Sequence, residues 1–344
     1  MQEASDILSF AARVIEEQGG LAERVEERLQ AVLPAALGAA LGLPEEVWLN
    51  GPETPLLFGS PLLDRLIGTA TREVPVAMAR LEIPYLKKAG FENLLGKDLT
   101  FYDCRSAFTG RAEVRAQYLV LWAHYVALSD ERKEGLACAA VQEHSGAVVE
   151  DLAMSWRKFT VSSYDRDKVP PIFSNPPAER AVAAAMAVAR DLARADLGLF
   201  VASMERRLRR DIANLREYYQ ALTDEMEVSL GRSNLGEAQR QDRLAKIAEL
   251  PRECARKVED ARHKYRVNVR LSACAGLRLN CDAVQVLVTV RHRALSRLAH
   301  LIWNPVTQRL DPLACEHCGA TIRSVYPRIE GQSLRFVCLR CQKA

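Results

Sequence analysis

AEVRAQYLVLWAHYVAL, residues 112–128, decides the fold class. It is rich in β-branched and aromatic residues and apolar at odd and even positions alike. That pattern reads as a strand buried on both faces, not as an amphipathic helix. SDERKEG (129–135) is a polar turn, LACAAVQEH (136–144) returns, and SGAVVEDL (145–152) follows a second turn. The expectation is a small antiparallel sheet. Helical periodicity lies on both sides of it, so the chain is expected to be α+β.

Working outward, residues 4–18 and 20–40 read as helices. Leu8, Ala11, Ala12, Val14 and Ile15 cluster at helical spacing, and Gly19–Gly20 interrupts them. LNGPETPLLFGSP (49–61) is a turn-rich connector. Ser60–Pro61 then offers an N-cap followed by proline at the first helical position. These pieces form an expected helical and small-sheet domain over residues 1–161. SSYDRDKVPPIFSNPP (162–177) is Pro-rich and polar and marks the expected linker.

A long helix is predicted from Ala178. Val201, Met204, Leu208, Ile212, Leu215, Tyr219, Leu222 and Met226 follow steps of three or four, the seam of a coiled coil. A continuous helix over 178–229 would span roughly 75 Å. LGRSNLG (230–236) ends it, and a second helix from about 237 to 265 carries Leu244, Ile247, Val258, Ala261 and Tyr265. Pro251 inside that helix is expected to kink it, because proline lacks the amide donor. The result is an antiparallel helical hairpin over 178–265. Period two returns in 267–273 and 284–291, and HLIWNPVTQRL (300–310) reads as a hairpin turning at Asn304–Pro305. Residues 266–344 are thus a β-rich unit.

That unit ends in CEHCGATIRSVYPRIEGQSLRFVCLRC (315–341). Cys315, Cys318, Cys338 and Cys341 stand at C-x₂-C-x₁₉-C-x₂-C spacing. Each pair sits on a tight turn that directs two thiolates at one point, and four thiolates suit tetrahedral Zn²⁺. A catalytic zinc keeps one position open, whereas four cysteines close the sphere, so the expected role is structural. TIRSVYPRI and SLRFVC read as strands joined at Glu330–Gly331, a zinc ribbon. His317, inside the first knuckle, is expected to be exposed.

Composition narrows the function. The chain has 344 residues, 49% apolar and 26% charged, with nine cysteines and a net charge of +3. No run of 18 apolar residues occurs, and the first twenty residues lack the basic and apolar blocks of a signal peptide. The five scattered cysteines, 104, 138, 254, 274 and 281, fit a reducing cytosol better than a disulfide framework. The charge is uneven: residues 1–177 carry 18 Lys/Arg and 25 Asp/Glu, residues 178–344 carry 29 and 19. The basic second half points to a polyanion or an acidic partner, or to solvated helix faces.

Enzyme signatures are missing. GFENLLGKD (90–98) has five residues between its glycines and Asp98 after the lysine, so it is no P-loop. There is no G-x-G-x-x-G, G-x-S-x-G or H-E-x-x-H, and adjacent glutamates such as Glu16–Glu17 do not share a helix face. MERRLRRDIANLREYY (204–219) places Arg206, Arg207, Arg209 and Arg210 on a helix, where they can contact duplex DNA. Glu205, Asp211 and Glu217 are interleaved and offer i,i+4 partners, which favours a solvated coiled-coil face.

The order of segments resembles the region C-terminal to the motor in bacterial Swi/Snf-type helicase-like ATPases, including RNA polymerase-associated relatives. FAARVIEEQGG (10–20), LQAVLPAALGAALGLPEEVWL (29–49), FGSPLLDRLI (58–67) and the 116–146 strand hairpin carry the likeness, followed by the helical hairpin, LIWNP and the paired CxxC motifs. No ATPase lobes are present, so no catalytic residue carries over. The resemblance implies a non-catalytic accessory subunit that docks to a Swi/Snf-like DNA-translocating ATPase, touches duplex DNA, and serves a multi-gene antiviral defence system; the cysteine usage above makes the expected setting cytoplasmic. The alternative class is a coiled-coil and zinc-ribbon adaptor that never meets nucleic acid. A third, an independent metal-dependent enzyme, lacks a supporting motif.

Overall fold

The structure is a computed structural model and describes residues 2–163, 176–232 and 236–344. It is α+β, and its contacts divide it into two units, Met1–Pro75 and Val76–Ala344.

In the first unit α1 (Gln2–Glu17) buries Leu8, Ala11, Val14 and Ile15, the cluster its periodicity predicts. The helix expected over 20–40 does not form as such. Residues 21–32 are instead a hairpin of β1 (Leu21–Val25) and β2 (Arg28–Val32), and only α2 (Ala35–Leu41) is helical. The physical reason is period two: Leu29, Ala31 and Leu33 are buried while Arg28, Gln30 and Val32 face out. Gly20 permits the reversal after α1, since a Cβ there would lie 2.7 Å from both Ile15 Cγ2 and the Val32 carbonyl. β3 (Glu46–Leu49) completes a three-stranded antiparallel sheet. α3 (Pro61–Ala70) starts as expected, with Ser60 Oγ accepting the Leu63 amide at 3.3 Å and Pro61 at its first position. Leu62, Leu63 and Leu66 join the α1 core.

The second unit opens with β4 (Val76–Leu81) and the two-residue β5 (Thr100–Phe101). β6 (Arg105–Leu128) and β7 (Arg132–Gln142) make the hairpin read from 112–142. Its doubly apolar pattern is explained by burial on both sides. Tyr118, Val120 and Ala140 enter one core, together with Leu152 of the short α4 (Leu152–Ser155), while Leu119, Leu121, Ala139 and Val141 enter another. β8 (Val161–Ser163) pairs with β4. The expected linker falls mostly outside the described residues, since 164–175 are not among them, and its first two residues belong to β8.

α5 (Pro176–Arg232) and α6 (Glu237–Tyr265) form the antiparallel helical hairpin; residues 233–235, between them in the sequence, are not among the described residues. Arg243 bonds Ser229 near one end, and Tyr265 hydroxyl donates to Asp211 at 2.6 Å near the other. The first half of α5 lies on the sheet. Ala181, Ala185, Ala189, Ala193 and Leu197, each four residues from the last, are buried against Ala123, Tyr125, Ala137, Ala139 and Val141. Small side chains at that spacing let the helix approach the strands closely. From Asp211 on, α5 packs along α6 for about 30 Å. The α5 seam residues from Val201 to Met226 are buried or half-buried as predicted. In α6 the seam is Ile247, Leu250, Cys254, Val258, Ala261 and Tyr265, and Leu244 lies off it, 51% exposed. The position one residue earlier, Arg243, is the one that meets α5. α6 continues as helix through Pro251.

The two runs expected at 267–273 and 284–291 are one strand, β9 (Asn268–His292), 25 residues long. It pairs antiparallel with β6 along its whole length, parallel with β4 at 276–281, and antiparallel with β10 (Leu295–Asn304) at 284–292. Strands on both sides of the expected 162–177 boundary therefore share one seven-stranded sheet with β9 at its centre. No local feature of either strand announces this pairing, which joins residues 140 or more positions apart. β11 (Arg309–Leu310) closes the hairpin at Asn304–Pro305, where Asn304 Oδ1 accepts the Val306 amide at 2.9 Å. β12 (Leu313–Ala314), β13 (Thr321–Ile322), β14 (Ser324–Glu330), β15 (Ser333–Val337) and α7 (Leu339–Lys343) complete the chain. Val325, Phe336 and Val337 pack into one core with Val284, Val286, Val288 and Val290 of β9.

Candidate metal centre

The four cysteines come from two tight turns. Cys315 ends the short β12–β13 ladder, and its N–H donates to the Ala320 carbonyl at 2.8 Å. Gly319 N–H returns to the Cys315 carbonyl at 2.8 Å with φ +74, a conformation in which a side chain is strained, so glycine after the second cysteine is required by the turn. Cys338 caps α7, and Cys341 lies one turn on. The β14–β15 hairpin, in register from Tyr326–Val337 to Glu330–Ser333, carries the second turn back beside the first.

All four Sγ atoms lie within 4.8 Å of one another, and Cys318 and Cys338 are 3.9 Å apart. Cys315 and Cys341 are buried, while Cys318 is exposed. Cys338 N–H donates to Cys315 Sγ at 3.3 Å. Burial opposes ionisation of Cys315, but main-chain donors from Cys318, Cys338 and His317 outweigh it and bring the thiol down to about 6. Burial, with the Cys341 thiol donating to Cys338, Cys318 and Cys315, pushes Cys341 up to about 12. Four sulfurs this close cannot all ionise without a cation between them. The cluster can hold a metal ion. His317 is exposed, as expected.

The arginines singled out in the sequence do not act as one patch. Arg207 Nη1 bonds Glu131 at the tip of the β6–β7 hairpin. Beside it Lys264 of α6 lies 3.5 Å from Asp130, so the tip clasps both helices. Arg210 lies 3.2 Å from Asp211. Arg206 and Arg209 are exposed and, among the described residues, have no acidic partner.

A buried polar hub escapes sequence reading. Asp311, 3% exposed, accepts from Tyr118 hydroxyl at 2.7 Å, Gln142 Nε2 at 2.9 Å and Asn304 Nδ2 at 3.1 Å. Burial pushes its carboxyl up to about 6 against the pull of these donors, and burial, then Asp311, holds Tyr118 well above the usual phenol range. Nearby, Arg278 grips Glu143 with Nε 2.7 Å from both carboxylate oxygens, and both side chains are buried. The only sequence signal is a set of polar residues inside apolar strands, with no spacing to link them. No protein-family model matches the chain, and no curated protein matches its sequence. Among the described helices none is long and apolar enough to cross a membrane.

Proposed function

We propose that the chain is a non-catalytic accessory subunit docking to a Swi/Snf-like, DNA-translocating ATPase, with structural zinc in its terminal ribbon. The carrying observation is the helical arm. Its base is seated on the sheet by the alanine row of α5 and clasped by Asp130 and Glu131, and its outer part is a two-helix hairpin with charged outer faces. Such a construction holds a contact surface at a fixed distance from a folded body. The choice of partner comes from the resemblance in segment order, and with it the proposed defence setting; the proposed cytoplasmic setting comes from the scattered cysteines. Zinc is supported by the donor set. A tetrahedral ion with Zn–S of ~2.3 Å places neighbouring sulfurs about 3.8 Å apart, next to the 3.9 Å between Cys318 and Cys338. Four thiolates leave no open position for substrate, which favours a structural role.

The reading without nucleic acid, a protein adaptor, draws on a specific observation: Arg207 and Arg210 are engaged by Glu131 and Asp211. In the accessory-subunit reading, Arg206 and Arg209 remain to meet phosphate. Affinity purification from the native host at low and high salt separates the two. A co-purifying ATPase, with duplex binding that falls steeply with salt, supports the first reading. Other partners and no duplex binding at low salt leave the adaptor.

A further inference from the structure

β6 is flanked on both sides over only part of its length. β9 pairs with it from Arg105 to Leu128, whereas β7 covers Tyr118 to Leu128. Residues 105–117 thus have one open edge. At its inner end the Glu143 amide donates to the Gln117 carbonyl at 3.0 Å. That bond sets the direction of the outward groups. Gln117 turns its N–H and C=O away from β9, and the alternation of an antiparallel ladder turns those of Arg115, Glu113 and Arg111 the same way. Within 105–117 the phase breaks at the bulge between Phe108 and Gly110. Among the described residues, no hydrogen bond takes up these outward main-chain groups. Arg111, Ala112, Glu113 and Arg115 are exposed, so no described element covers the edge.

Two further features distinguish this edge. A cavity of about 640 Å³ adjoins it, lined by Val114 and Ala116 of the strand itself and by Ile302, Pro312 and Leu313 beyond. The charge is also one-sided: Arg105, Arg111 and Arg115 against Glu113 alone. Among the described residues, Arg115 alone of the three arginines is within ion-pair distance of an acid, Asp282 at 3.9 Å. Open main-chain groups beside a pocket for alternate side chains are the recognition elements of strand addition. The excess of arginine selects an acidic strand, since like charges across a ladder are destabilising.

We propose that the β6 edge from Arg111 to Arg115 receives an extended acidic segment of a partner protein as an added strand, with an apolar side chain of that segment in the adjoining cavity. The inference rests on the docking role proposed above only in that a partner supplies the strand. Binding is measured on the isolated chain, so its result is independent of which protein co-purifies.

The probes are a short synthetic peptide alternating glutamate with valine, and its lysine counterpart. The glutamate peptide will bind, the lysine peptide will not, and amide exchange at Arg111, Glu113 and Arg115 will slow in the complex. Glu113→Pro removes one outward donor, and proline is tolerated where an edge N–H faces solvent, so binding will weaken roughly tenfold while the fold persists. Arg111→Glu combined with Arg115→Glu leaves the main chain intact and will transfer the preference to the lysine peptide. This second variant decides the matter should Glu113→Pro fail to fold. Failure of the glutamate peptide to bind overturns the proposal and makes the charges a guard against aggregation. Undiminished binding by folded Glu113→Pro, or an unaltered preference in the double variant, overturns it equally.

Discussion

Asp311→Asn will remove a pH dependence that the hub imposes on folding. In the native state burial holds the Asp311 carboxyl at about 6, against 3.8 for an unburdened aspartate. The folded chain therefore binds a proton that the unfolded chain has released. The stability from this group is whole below pH 3.8 and is lost as pH rises through about 6. Evaluating both titrations, the loss between about pH 5 and about pH 7.5 comes to about 1.4 kcal/mol, roughly half of the whole effect. In urea this is a fall in midpoint of about 0.5 M for a domain with a typical slope. Asparagine keeps the shape of the side chain and cannot ionise. Its new amide can take the place of Oδ2 and face Gln142 once that amide turns over, with the Tyr118 hydroxyl turning to accept and Asn304 still donating to the oxygen at Oδ1. The assay is urea unfolding followed by tryptophan fluorescence, as Trp122, Trp156 and Trp303 all lie in the sheet unit. Thiolate protonation at low pH affects both proteins alike and cancels in the difference. Equal pH slopes for wild type and Asp311→Asn would refute the burial of an ionisable carboxyl at this hub.

Cys338→Ser will lower bound zinc from one equivalent to none by elemental analysis and raise amide exchange over 313–343, because structural zinc affinity is linked to folding; full metal content in the variant contradicts the ligand assignment. Glu143→Gln leaves the Arg278 guanidinium buried without its counter-charge and will cost about 3–5 kcal/mol in chemical denaturation, while replacing both residues by apolar ones of similar volume will cost less. At Gly135, paired across the strands with Tyr125, a Cβ would approach the Tyr125 ring carbon Cζ to 2.6 Å. Gly135→Ala will therefore displace Tyr125 from Asp196, to which it donates at 2.6 Å, and lower stability by about 1–3 kcal/mol. The same bond, with burial, raises the Tyr125 hydroxyl to about 12, so Asp196→Asn will bring its absorbance titration back toward the usual phenol range.

What the sequence made legible is what neighbouring residues decide among themselves. The two knuckles, the Ser60–Pro61 helix start, the hairpin at Asn304–Pro305 and the seam of α5 each rest on a few contiguous positions, and each is where its pattern puts it. Local signals failed where they competed. The alanine-rich stretch after Pro34 is helical, and its composition masks the alternation of Leu29, Ala31 and Leu33 just before it. Leu244 fits the seam by residue type, yet α6 meets α5 through Arg243 and leaves Leu244 exposed. The longest-range facts were silent. The pairing of β6 with β9, the Asp311 hub and the open edge all depend on which distant segments become neighbours, and strand pairing leaves no periodicity that names its partner.

The central position of β9 also sets an order of events during synthesis. β6 is complete at Leu128, but its partner begins only at Asn268, 140 residues later, and at ~5–20 residues per second that is a wait of roughly 7–30 s on the ribosome. Through that interval the β6–β7 hairpin has a long, greasy flank and nothing to zip against. A nascent chain of this design is a natural client for chaperones until its last third emerges.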